Sequence, residues 1–480
     1  MTESESATDV APPRRKGCGC WTIVFVTLLA ATLFVVGVYV FWRWSNARGV
    51  ERMIAIAREK GEPTTPEELA ASYPTSPEIE RTTQLWLTAG DEAQLPYVRD
   101  DLIDVVTGYS DRENPESVEA MRRYRDERIL SPRVLEASQA YFARVEGAVD
   151  LAQQARRSGV VARYALRNEG EKSPPDDHIQ KLRAVANVLA IDLELRRVQA
   201  PRPAMGERLL TLIAVGESLR NEPSESAQLV RLALLGVADS HLTLSLEAEE
   251  LSDEEIVALQ RSLGEMDHRA NLRRALEELQ VEVFHSFEKY GKVEKGVLLS
   301  PEEDSLSAAT ALREVLDASA NLASASEAAR AADERVQAAS KSPAGEARFS
   351  GTSQMLRHVH ALIFAFRDSQ SRMDALEAIV ACERFRRAQG VWPDSLDQLV
   401  PDWLDAVPVD TYTGDPLRYR RTETGLSIYA VGPDGSDDGG VVEWGSRPND
   451  PGARVELGKN VLRLSREDEA PGSSPELDGG

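Results

Sequence analysis

A chain of 480 residues with 42% hydrophobic content has room for two or three domains and enough apolar side chains to give each a core. Its 56 Lys and Arg stand against 79 Asp and Glu, a formal net charge of −23. Such a surface repels phosphate backbones, which argues against a nucleic-acid partner, and attracts divalent cations. Only Cys18, Cys20 and Cys382 occur, so no disulfide can form within the body of the chain.

Met1 to Pro13 is polar and rich in Ser, Thr and Pro, the composition of a disordered segment. Arg14, Arg15 and Lys16 follow, and then 22 residues from Trp21 to Trp42 carry no charge. At helical rise this run spans a bilayer core of ~30 Å, with Trp21, Tyr39, Trp42 and Trp44 at the two interfaces. It predicts one transmembrane helix in contact with the lipid bilayer. The basic cluster abutting its start predicts a cytoplasmic N-terminus and an extracytoplasmic C-terminal part, although Arg43, Arg48, Arg52, Arg58 and Lys60 on the far side weaken the asymmetry.

Helical signals then dominate to about residue 389. Thr65-Pro66-Glu67-Glu68, Ser252-Asp253-Glu254-Glu255 and Ser300-Pro301-Glu302-Glu303 read as capping boxes that start helices. Apolar residues recur at helical spacing over Lys181 to Gln199, Met205 to Leu219, Gln228 to Leu246 and Ile256 to Phe287. Breaks fall at Pro174-Pro175, Pro201 to Pro203, Asn221-Glu222-Pro223 and Gly291 to Ser300. Helices of this length on short turns predict a bundle or an α-solenoid, with no clean repeat period. Ala308 to Ala347 is dense in Ala, Ser and Glu and predicts a thin, exposed helix or helical linker. Gln354 to Phe366 regains an apolar face, and Met373 to Ala388 predicts a helix entering a terminal domain.

No catalytic motif stands out. The six histidines show no His-Glu-x-x-His pattern and read as surface or half-buried residues. There is no P-loop, dinucleotide fingerprint, nucleophile elbow or Cys-x-x-Cys, and Cys382 lies in an apolar helix where a buried, inert thiol is expected. The densest chemistry is in Gly432 to Gly440, where Asp434, Ser436, Asp437 and Asp438 stand among glycines free to take positive φ. Hard oxygen ligands on a tightly turning backbone suit Ca²⁺. The spacing matches the first half of an EF-hand loop, but Gly445 occupies the twelfth position, so it is not one. Leu417 to Arg421 and Leu426 to Ala430 alternate apolar and polar positions, predicting a hairpin around Glu423-Thr424-Gly425.

The order of segments from residue 373 has a likeness. The helix Met373 to Arg387 is followed by Gly390-Val391-Trp392-Pro393, Leu399-Val400-Pro401, Asp410, Thr413-Gly414-Asp415-Pro416-Leu417-Arg418-Tyr419 and Gly432-Pro433-Asp434-Gly435. This resembles the C-terminal region of the major pseudopilin of type II secretion systems, as carried by bacterial membrane-anchored proteins of undefined function. The resemblance implies a small α+β domain with a structural calcium site at Asp434, Ser436, Asp437 and Asp438. It also implies that Trp392 and Pro393 stop the helix and that Leu396, Leu399 and Val400 pack beneath it. A pseudopilin carries a processing motif and a glutamate early in its apolar helix; here no acidic residue precedes Trp42 within the run, which argues against filament assembly.

The expected fold is therefore mainly α. A cytoplasmic segment (1–20) and transmembrane helix (21–42) precede an α-helical domain (47–306), a helical linker (307–350), a pseudopilin-like α+β domain (354–464) and a disordered acidic tail (465–480). The expected role is interaction or scaffolding at a bacterial envelope through a protein partner bound by the helical domain. The alternatives are a component of a type II secretion or pilus-like assembly and an enzyme with a dispersed, motif-free site.

Overall fold

The uncharged run opens a helix that does not stop where the charges begin. In the computed structural model, which describes residues 19–94, 115–165, 177–198, 204–290, 301–440, 450–459 and 461–464, this helix runs unbroken from Gly19 to Glu59. Its apolar part, including Phe25, Phe34 and Phe41, is bare, so by length and composition it is a candidate membrane span. Its last turns are amphipathic instead: Val50, Ile54 and Ala57 are buried against Phe284 and Ala309. The helix Glu225–Glu247 is also long and apolar, but more than half of it is packed inside the body, as in a core helix.

The body is mainly helical. Two of the predicted capping boxes fall on described residues. Thr65 Oγ1 accepts from the Glu68 amide at 3.2 Å, while Glu68 reaches back to Thr64 rather than Thr65. Ser252 and Glu255 form the complete reciprocal box. Residues 1–18, Pro174-Pro175, Pro201 to Pro203, Gly291 to Ser300 and the tail 465–480 lie outside the described residues.

Residues 307–350 are helical but are not an exposed linker. Pro301–Ala318 and Leu322–Ala339 bury Ala308, Ala311, Leu312 and Val315 on one side and Ala325, Ala329, Ala332 and Val336 on the other. Alanine at helical spacing lets two helices approach closely, so a face poor in large side chains still makes a core. The break expected near residue 350 is equally absent as a domain boundary, because a single helix runs from Ser350 to Gln389. Its first half places Val359, Leu362, Ile363 and Phe366 in a core shared with helices His268–Tyr290, Pro301–Ala318 and Leu322–Ala339. Its second half, Met373 to Cys382, lies in the main core.

That main core joins what the sequence reading divides. It contains Leu182, Leu189, Leu209, Leu235 and Leu259 from the helices together with Leu417, Leu426, Ile428 and Val455 from the C-terminal sheet. The helix ends at Gly390, whose φ of 78° caps it while its amide donates to the Arg386 carbonyl at 2.7 Å. The stop is thus the glycine; Trp392 is buried in the core instead. Leu396 and Leu399 are buried as expected, but Val400 is 37% exposed because the short 3-10 turn Leu396–Leu399 points it outward.

Strand β1 is Ile129–Leu130, β2 Arg418–Arg421, β3 Gly425–Tyr429, β4 Gly452–Glu456 and β5 Arg463–Leu464. The hairpin β2–β3 is antiparallel with Tyr419 opposite Ile428, and β4 adds to β3 with Leu426 opposite Val455. Gly425 and Gly452 permit this third strand: a Cβ on Gly425 would lie 2.0 Å from the Val455 carbonyl oxygen. The short β5 pairs in parallel with β1, seating Leu462 among Tyr124, Leu130 and Ile191.

Candidate functional site

The loop Gly432 to Gly440 leaves β3 through Ala430 and Val431, both buried, so its start is held by the sheet. Asp410, 1% exposed, anchors it from behind. Its Oδ2 accepts from the Val431 amide at 2.9 Å and from Arg418 at 3.1 Å, and its Oδ1 accepts from the Tyr412 amide at 2.7 Å. The loop's other end is held by Asp450, also fully buried, which accepts from the Gly440 amide at 2.7 Å and the Asp438 amide at 3.4 Å. The sequence marks Asp410 only as part of the likeness, without this role, and leaves Asp450 unmarked, since neither lies in an acidic run; their signal is a single Asp followed by Pro or a turn on each side of the hairpin.

Within the loop, the four expected ligands differ in what they do. Asp434 Oδ1 accepts from the Ser436 amide at 3.0 Å, a local turn. Asp437 Oδ1 accepts from the Gly439 amide at 2.9 Å and from the Tyr429 hydroxyl at 3.1 Å, and Arg418 lies 3.5 Å from its Oδ2. The Gly439 amide, then Tyr429 and the two arginines Arg420 and Arg418, outweigh slight desolvation and hold the Asp437 carboxyl below the usual range. Ser436 is exposed. Asp438 is the exception: its Oδ2 is buried without a hydrogen-bond partner. Desolvation and the charges of Asp434, Asp450 and Asp437 push its carboxyl above the usual range.

An orphaned carboxylate oxygen that feels the charge of three further acids has the chemistry that a cation would relieve. Asp434 and Asp437 are turned onto the loop's own amides, and among the described residues no three His, Cys, Asp or Glu side chains converge as a ready-made metal cage.

The strongest electrostatic perturbations lie elsewhere, in the helical body. His178, His241 and His268 are buried rather than at the surface, each because a charged or polar partner satisfies it. His178 Nε2 sits 3.0 Å from Glu222 with its ring stacked on Tyr164 at 4.6 Å. His268 bridges Arg231 at 3.3 Å and Ser369 at 3.1 Å. His241 faces Arg197 at 3.1 Å, and Arg197 also binds Glu194, Glu250 and Ser245. Burial alone would raise the Glu194 carboxyl, but Arg197 and Arg128 outweigh it and hold the group at about 2. Burial and Arg197 lower His241 to about 4. The Cys382 thiol, fully buried, is pushed far up by desolvation and is inert.

Comparison of the chain with protein-family models, with curated proteins and with solved structures found no match.

Proposed function

We propose that the chain is a single-pass, membrane-anchored interaction or scaffold protein whose body faces out of the cytoplasm, with a pseudopilin-like C-terminal unit stabilised by calcium. The observation that carries the anchor is the helix Gly19–Glu59, bare over its apolar part and seated in the body at its end. The helical body, read as a bundle or solenoid, is the partner-binding element. Its most perturbed ionisable groups, Glu194, His241 and His268, are interior and paired, which favours a structural role for them over an enzymatic site.

Asp438 would hold the calcium ion, with Asp434, Ser436 and Asp437 as the other loop ligands. The bound ion would supply charge neutralisation and cross-linking of the loop. Full-length protein in detergent should lose thermal stability in excess EDTA and regain it with added Ca²⁺, but not when Asp438 is replaced by Asn. An unchanged Tm on chelation overturns the metal. A periplasmic reporter fused after Gly480 should be active, and activity only of a cytoplasmic reporter overturns the orientation.

A further inference from the structure

Beside the acidic loop, a cavity of about 470 Å³ opens where four parts of the chain meet. The long helix contributes His360, Phe364 and Arg367, the turn before β2 contributes Tyr412, and Ser326 and the start of the loop close the other sides. Among the described residues no carboxylate lines it, although the charges of Asp368 and Asp410 reach Tyr412 from behind the wall. Its volume lies in the range of small-ligand sites, roughly 300–1,000 Å³.

Behind its wall, two polar atoms of lining residues lack partners. The Arg367 guanidinium stacks 4.2 Å from the Tyr412 ring centre and donates from Nη2 to the Thr411 carbonyl at 2.7 Å. Its Nε is buried without a partner, and so is the Tyr412 hydroxyl. Among the described residues Arg367 forms no ion pair; Asp410, whose charge reaches it, is bound to Arg418. Desolvation accordingly lowers the Arg367 pKa from its ordinary value. An oriented guanidinium without a carboxylate, next to an unmet hydroxyl, is costly unless an acceptor arrives. Phe364, 46% exposed, and the His360 ring supply an aromatic wall beside it.

We propose that this cavity binds an apolar carboxylate, its anionic group held by Arg367 and the Tyr412 hydroxyl and its aromatic or branched part set against Phe364 and His360. Reaching the two buried atoms takes a side-chain adjustment of the kind common on binding. The side chains of Asp434, Ser436, Asp437 and Asp438 do not line it, but Gly432, Pro433 and Gly435 of the same loop do, so the cavity's shape follows that of the loop. The carboxylate can come from a free small acid or from a peptide's C-terminus.

Isothermal titration of the full-length protein in detergent tests this with three probes: N-acetylphenylalanine, its neutral amide, and an N-acetylated tripeptide ending in free phenylalanine. The acid should bind about tenfold more tightly than the amide. Tighter binding of the tripeptide identifies a chain terminus as the source, and weaker binding a free acid. Arg367→Gln should erase the preference for acid over amide, while Arg367→Lys should keep part of it. Tyr412→Phe should raise the Tm of the free protein by removing an unmet hydroxyl, yet weaken the acid several-fold. Equal affinity for acid and amide, no binding at millimolar concentration, or acid binding unchanged by Arg367→Gln overturns the proposal.

Discussion

Glu278 is a residue whose burial opposes its own charge. Desolvation first, then Glu282, Glu225 and Glu222, raise its carboxyl to about 8, although it accepts from the Glu225 amide at 3.1 Å. The folded protein therefore binds more protons at this site than the unfolded chain between the ordinary carboxylate range and pH 8, so stability falls as pH rises through that window. Glu278→Gln keeps an acceptor for the amide and removes the charge. It should raise Tm at pH 8 by roughly 2–4 °C and leave it unchanged near pH 5, as followed by circular dichroism. Glu377, raised to about 7, and Asp239 and Asp374, raised to about 6, have the same sign. His241 has the opposite one: lowered to about 4, it stays neutral in the fold while the unfolded chain protonates, so stability is lost as pH falls from about 6.5 to 4. The acids keep gaining as pH falls towards the ordinary carboxylate range, through the window in which the histidine loses, and the Tm of the wild type should be higher near pH 6 than at pH 8. A maximum at pH 8 or above would show that the buried acids are ionised without cost.

At the scale of elements, the decisive junction is where the N-terminal helix meets the body. Glu62, 6% exposed, lies just beyond the helix end and binds Arg313 at 3.0 Å through Oε1, Arg273 at 2.7 Å and Gln280 at 3.4 Å. Burial works against its charge, but Arg313 and the other donors prevail and keep the carboxyl below the usual range. One side chain thus ties the turn after the N-terminal helix to two helices more than 200 residues away. Removing one member of a buried pair costs about 3–5 kcal/mol, and Asp317, 2.8 Å from Arg313, softens that here. Glu62→Gln should destabilise by about 2–3 kcal/mol and expose the segment after Glu59 to protease. Lys60→Ala, which breaks only the exposed pair with Asp317, should change stability by less than about 1 kcal/mol.

For the molecule as a whole, the C-terminal unit and the helices are one folding body. The Glu456 amide donates to Glu247 at 3.1 Å, the Gly458 amide to the Glu247 carbonyl at 2.7 Å, and Gln260 to the Trp403 carbonyl at 2.7 Å. The helix Ser350–Gln389 crosses from one core into the other and has no break at which to cut. A fragment covering 370–465 would expose Leu376, Ile379, Val380 and the sheet residues that pack on the helices. It should be insoluble or unfolded when expressed alone, whereas a chain beginning after Trp44 should be soluble and helical. A cooperative melt of the isolated fragment would restore the view of a separable domain.

Several features were legible in the sequence because they depend on neighbours along the chain. The uncharged run, the capping residues at Thr65 and Ser252, the β2–β3 hairpin and the acidic loop all follow from local spacing, charge and turn chemistry. Others were decided only by packing between residues far apart. Whether Ala325 and Ala329 line a surface or a core depends on a facing helix, and whether His241 or His268 is buried depends on an arginine that pays its polar cost from another element. The same holds for the loop and the cavity beside it. Asp434 to Asp438 could be found by composition, but Asp410 and Asp450 that clamp them, and the cavity of Arg367 and Tyr412, exist only once β4 and the long helix close on the hairpin.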